Sequence, residues 1–92
     1  MTLTIKQALE RGITAHKEGK LRDAEKFYRS ILEVQKDHPD ANHNLGVLAF
    51  GVGNTQASLQ FFKTALEASP KQEQFWISYI NALIKLNRKK DA

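Results

Sequence analysis

The 92-residue chain has no cysteine, and only 2 prolines and 5 glycines interrupt it. The first absence excludes a disulfide framework and every thiolate metal site, and fits a reducing compartment. The scarcity of breakers and the 41% hydrophobic content argue against disorder. No stretch approaches the roughly 18 apolar residues that a membrane helix needs. The N-terminal segment is broken by Lys6, Glu10 and Arg11, so it lacks the apolar region of a secretory signal. A soluble, cytoplasmic chain is expected.

Positive charge is missing from the middle: no Lys or Arg lies between Asp37 and Phe62. The net charge of +4 comes instead from the first third (Lys6, Arg11, Lys17, Lys20, Arg22, Lys26, Arg29, Lys36) and from the tail (Lys85, Arg88, Lys89, Lys90). These residues interleave with apolar ones at helical spacing, as on the solvated faces of amphipathic helices. That distribution argues against nucleic acid as a partner, despite the basic balance. The length suits one domain with a modest core.

A shift of about 34 residues lays the chain on itself. Gly12 falls on Gly46, Gly19 on Gly53, Phe27-Tyr28 on Phe61-Phe62, and Leu32-Glu33 on Leu66-Glu67. One unit therefore recurs, and its fullest copy runs from Pro39 to Gln72. Thr4-Ile5-Lys6-Gln7 has the form of a capping box, so a first helix starts there. Its small residues Ala8, Gly12 and Ala15 let a neighbour approach closely, and Gly19-Lys20 ends it. A second helix is expected from about Leu21 to Val34, where Leu21, Ala24, Phe27, Tyr28, Ile31 and Leu32 form one buried face. Pro39 suits the first position of the next helix. That helix carries Leu45, Gly46, Leu48, Ala49 and Val52 and ends at Gly51 to Gly53. A fourth carries Leu59, Phe61, Phe62, Ala65 and Leu66 and ends at Ser69-Pro70. A fifth runs from about Glu73 to Leu86, with Trp76, Tyr79, Ile80 and Leu83 as its apolar face and Asn87 placed to terminate it.

With Leu45-Gly46, Gly53, Phe62, Ala65 and Pro70 in register, the chain resembles the tetratricopeptide repeat. That signature is W-x2-L-G-x2-Y, A-x3-F and P in about 34 residues. The first unit, about 5–38, keeps Gly12, Gly19, Ala24 and Tyr28; a partial third, about 73–92, supplies Trp76, Tyr79 and the closing Ala92. Asn42, Ala49 and Ser58 depart from the tryptophan, tyrosine and alanine of the central unit, about 39–72, and Ile80 stands at a glycine place. The resemblance implies an all-α fold of about five helices, in antiparallel helix-turn-helix pairs stacked as a short right-handed superhelix. Glycine at the helix crossing allows close packing, and Tyr28 and Phe62 fill the space between units. Ile80 breaks that rule and suggests a modified terminal unit. Arrays of this kind need about three or more units, so a fragment of a longer protein is expected; a small protein capped by its fifth helix is the alternative.

The resemblance also implies a concave groove lined by the first helix of each unit. Its candidates here are Lys6, Leu9, Ile13, His16 and Lys17, then Asp40, His43, Asn44, Val47 and Phe50, then Gln74, Ile77, Ser78, Asn81 and Ile84. Helical geometry independently sets Asp40, His43, Val47 and Phe50 on one stripe. A chaperone-binding clamp in this family needs two lysines, two asparagines and an arginine. Only Asn44 matches it, since Leu9, Ile13, Gln74 and Ser78 hold the other places. No nucleophile-base-acid set, phosphate loop or metal-ligand spacing is present, so neither catalysis nor a cofactor is expected. The leading expectation is a protein-interaction module that binds a partner segment. A looser likeness joins His38 to Gly46 and Phe75 to Ile80 with bacterial repeat arrays preceding glycosyltransferase, sulfotransferase or methyltransferase domains. A substrate-recognition arm of such a transferase is therefore the second reading. Self-association through the C-terminal helix is a further expectation, since a mid-unit ending leaves parts of Ile77, Ile84 and Leu86 uncovered.

Overall fold

Side-chain caps and glycine turns set the helix boundaries. In the computed structural model, which describes residues 3–91, the Thr4 hydroxyl accepts from the Gln7 N–H at 3.1 Å. The Gln7 side chain accepts in return from the Thr4 N–H at 3.0 Å. This reciprocal pair opens α1 (Ile5–Lys17). The chain then turns at Gly19, whose φ of 78° is left-handed, and the Lys20 N–H closes the turn on the Ala15 carbonyl at 2.8 Å. α2 (Leu21–Val34) runs back antiparallel to α1.

The second pair repeats this construction. Pro39 opens α3 (Pro39–Gly51), and His38 caps it by accepting the Ala41 N–H on Nδ1 at 3.1 Å. Gly53, with φ of 86°, makes the same turn as Gly19, and the Asn54 N–H reaches the Ala49 carbonyl at 2.8 Å. α4 (Thr55–Ala68) follows, capped by the Asn54 side chain, and α5 (Glu73–Asp91) closes the described chain. The fold is all-α: five helices pack in sequential antiparallel pairs, and no strand occurs among the described residues. No described helix is long and apolar enough to cross a membrane.

Within each pair, a glycine meets an aromatic ring. A methyl group on Gly12 would stand 2.5 Å from Cε1 of Tyr28, and one on Gly46 would collide with Phe62 in the same way. The rings themselves are buried. Tyr28 packs with Ala15, Ala24, Leu45 and Leu48 and so joins the first pair to the second. Ala65, Leu66 and Phe75, with Tyr79 against them, join the second pair to α5. Burial of a full aromatic or aliphatic side chain contributes about 1.5–3 kcal/mol, so these few contacts dominate the stacking.

Two departures from the signature have structural uses. Asn42, at the tryptophan place, is buried and donates from Nδ2 to the carbonyls of Lys36 and His38 at 3.0 and 2.9 Å, which fixes the loop between pairs. Ser58, at the alanine place, donates to the Thr55 carbonyl at 2.6 Å.

Several expectations need correction. Leu21 and Val52 are exposed, because one lies at the first residue of its helix and the other at a cap. Asn87 does not end α5, which continues to Asp91 through residues of good helix propensity. The apolar face expected of α5 is not the buried one. Trp76, Ile80 and Leu83 are exposed, while α5 docks through Phe75 and Ala82 with Ser78 and Tyr79 half-buried. The indole is nonetheless anchored, since its Nε1 donates to the Pro70 carbonyl at 2.7 Å. Ala92 lies outside the described residues.

Candidate functional site

Two hollows open where α1 meets α3 and where α3 meets α5. The first, about 340 Å³, is lined by Ile13, His16, Lys17, Tyr28 and Asn44. The second, about 180 Å³, is lined by Val47, Phe50, Phe62, Ser78 and Asn81. They are repeat copies of each other, because the same period that relates the glycines carries Ile13 to Val47, His16 to Phe50, Tyr28 to Phe62 and Asn44 to Ser78. The copies differ chemically. Both are lined mainly by apolar surface, but His16, Lys17 and Asn44 bring polar groups to the first where the second has Val47, Phe50 and Phe62.

A third hollow of about 440 Å³ continues from the second through Phe50 and Asn81 to Ile84, Lys85 and Arg88. Here Nζ of Lys85 stands 4.4 Å from the centroid of the Phe50 ring, a cation over an aromatic face. Among the described residues, neither Lys17, Lys85 nor Arg88 pairs with a carboxylate. A larger hollow, about 520 Å³, lies elsewhere, between α1 and α2. Its rim mixes Glu10, Glu18 and Asp23 with Arg11 and Lys20 and so favours neither sign of ligand.

His43 does different work from its neighbours on α3. Its ring stacks on Phe75 at 4.7 Å between centroids and tilts against Phe62 at 5.4 Å. Nε2 lies 2.8 Å from the Ser78 hydroxyl, which accepts from or donates to it according to tautomer. Burial pushes the imidazole below its ordinary pKa, against the opposing pull of the Asn44 side chain and the Asp40 charge. The residue therefore fastens α5 to α3, and its ring is largely spent on packing.

Of the other groove candidates, Lys6, Asp40, Gln74 and Ile77 are exposed and line none of these hollows, while Leu9 packs in the core. His38 spends Nδ1 on the cap of α3. No group of three His, Asp or Glu side chains able to hold a metal occurs among the described residues. Sequence reasoning missed Lys85 and Arg88, whose charge was assigned to a solvated tail. It also missed that Tyr28 and Phe62 floor the hollows as well as filling the core. Applying the period to the groove residues of the first unit would have found the second hollow. Chemically, the first hollow offers a mixed lining, the second an apolar one and the third two cationic side chains, Lys85 and Arg88.

A family model described as tetratricopeptide repeat matches residues 39–72, the segment that holds α3 and α4. A repeat at that place within five antiparallel helices is consistent with a short array of such repeats. No curated protein matches the chain.

Proposed function

Starting from the tetratricopeptide repeat at residues 39–72, we propose that the chain is a protein-interaction module that holds a segment of a partner on the face formed by α1, α3 and α5. The observation that carries this reading is the pair of repeat-related hollows flanking α3. Adjacent packed helices stand about 8–10 Å apart and an extended chain rises about 3.3 Å per residue. Side chains about three residues apart in an extended partner thus suit successive hollows. An aliphatic side chain suits the apolar hollow at Phe50 and Phe62, and a carboxylate suits Lys85 and Arg88 beyond it.

The test uses a displayed library of random peptides selected on the chain. Selected peptides are expected to lose at least about tenfold in affinity when Phe50→Ala and Asn81→Ala are combined, the scale of removing a contact residue and its pocket wall. Both side chains sit at least partly in solvent, so the far-ultraviolet spectrum of this variant should remain that of the parent. Peptides that bind the folded variant as tightly as the parent would place binding on another surface.

A further inference from the structure

On α5, Trp76, Ile77, Ile80, Leu83 and Ile84 are between 38% and 49% exposed. At about 100° per residue these side chains fill an arc of roughly 120° centred on Ile80. The opposite arc carries Phe75, Ser78 and Ala82 and faces the rest of the protein. α5 is thus apolar on two sides, and one of them is uncovered.

The way α1 and α3 cover the same positions is closed to α5. One and two periods before Ile80 stand Gly46 and Gly12, whose missing side chains admit the rings of Phe62 and Tyr28 from the helix that follows. The branched side chain of Ile80 occupies the place such a ring would enter. This face therefore fits a more widely spaced helix whose side chains interleave with its own.

The face is symmetric about its centre. Trp76 and Ile84 lie equally far from Ile80 along the helix, as do Ile77 and Leu83. An antiparallel second copy centred on Ile80 sets Trp76 against Ile84 and Ile77 against Leu83, twice over. The ends are complementary too. Glu73 occupies the first turn and Arg88 lies fifteen positions later, so antiparallel pairing brings Glu73 of each copy beside Arg88 of the other and opposes the helix dipoles. Parallel pairing would set like charge on like. We propose that α5 is a self-association surface, on which two copies of this chain pair antiparallel about a two-fold axis through Ile80.

A single helix pair falls at the small end of interfaces, below about 1,200 Å² in total, so the dimer forms reversibly with concentration. Sedimentation across a wide concentration range should show the mass rising from monomer to dimer. The sole tryptophan, Trp76, lies in the interface, so its emission should move to shorter wavelength over the same range. Ile80→Glu should remain monomeric at a concentration at least about tenfold higher, with an unchanged far-ultraviolet spectrum, because Ile80 is 49% exposed and belongs to none of the buried clusters. The chain has no cysteine, so single cysteines read the orientation directly. Ile80→Cys should cross-link to its copy under mild oxidation. Trp76→Cys should not, since its two copies would lie about 12 Å apart along the axis, beyond the reach of a disulfide at about 7 Å. A monomer at every concentration, or cross-linking of Trp76→Cys as fast as Ile80→Cys, overturns the proposal.

Discussion

A methyl group added at Gly46 has nowhere to go. Phe62 fills the space above that position and is only 2% exposed, with His43 tilted against its ring. Gly46→Ala is therefore expected to lower stability by about 1–3 kcal/mol, an overpacking cost larger than the gain of up to about 1 kcal/mol from better helix propensity. Gly51, in the last turn of the same helix, faces open space. Gly51→Ala should thus leave stability unchanged or raise it by up to about 1 kcal/mol. Urea titrations of the two variants decide the matter, since an equal effect would show that the ring does not enforce the glycine. At the start of α4, the Thr55 hydroxyl is buried and unpartnered among the described residues. Thr55→Val keeps the shape and removes a group whose lost hydration costs about 1–3 kcal/mol. A higher melting temperature is expected for it, and a lower one would mean that the hydroxyl has a partner in solution.

For whole helices, what could be read from the sequence depended on whether the signal was unique. The turns at Gly19 and Gly53 and the crossings at Gly12 and Gly46 were legible because backbone conformation and close approach demand those residues. The orientation of α5 was not, because apolar spacing of threes and fours exists on both its sides. The more hydrophobic set, Trp76, Ile80 and Leu83, is the exposed one, while Phe75, Ser78 and Ala82 face inward. Composition favours burying the first set; the close contacts with α4 and the His43–Ser78 bond require the second. The same blindness hid part of the candidate site, since Lys85 and Arg88 join Phe50 only once α5 is turned this way. Two substitutions on this helix test its orientation. Ala82→Leu inserts bulk at a fully buried position and should cost about 1–3 kcal/mol or more. Ile80→Ala, measured in dilute solution, should change stability by no more than about 0.5 kcal/mol. Thermal melts in which Ile80→Ala is the more damaging would reverse the assigned faces.

In the molecule as a whole, each helix pair touches only its neighbours, and the extents of 49 × 28 × 19 Å describe an elongated stack. In such a stack the ends are held by one interface each and open before the middle. α5 is held at its inner side by Phe75 and Tyr79 packed with Ala65 and Leu66, and by His43, which reaches it from α3. The groups facing that imidazole from other elements are Phe62, Phe75 and Ser78, none of which carries charge near neutrality, while Asp40 acts from its own helix. Because burial lowers the folded pKa of His43 below the unfolded value near 6.5, the unfolded chain takes up this proton first as pH falls. The sign is fixed by that order. The contribution of neutral His43 is fully present above about pH 6.5 and is lost as pH falls through the folded pKa. Melting temperature should therefore drop between about pH 8 and about pH 5, with the Trp76 signal on α5 changing no later than the helical signal of the whole chain. His43→Gln keeps a hydrogen-bonding group near Ser78 and cannot titrate. It should flatten this part of the pH profile while lowering stability at neutral pH through lost ring stacking on Phe75. If the profile of His43→Gln instead parallels that of the parent, another group is responsible, and the attachment of α5 does not depend on this imidazole.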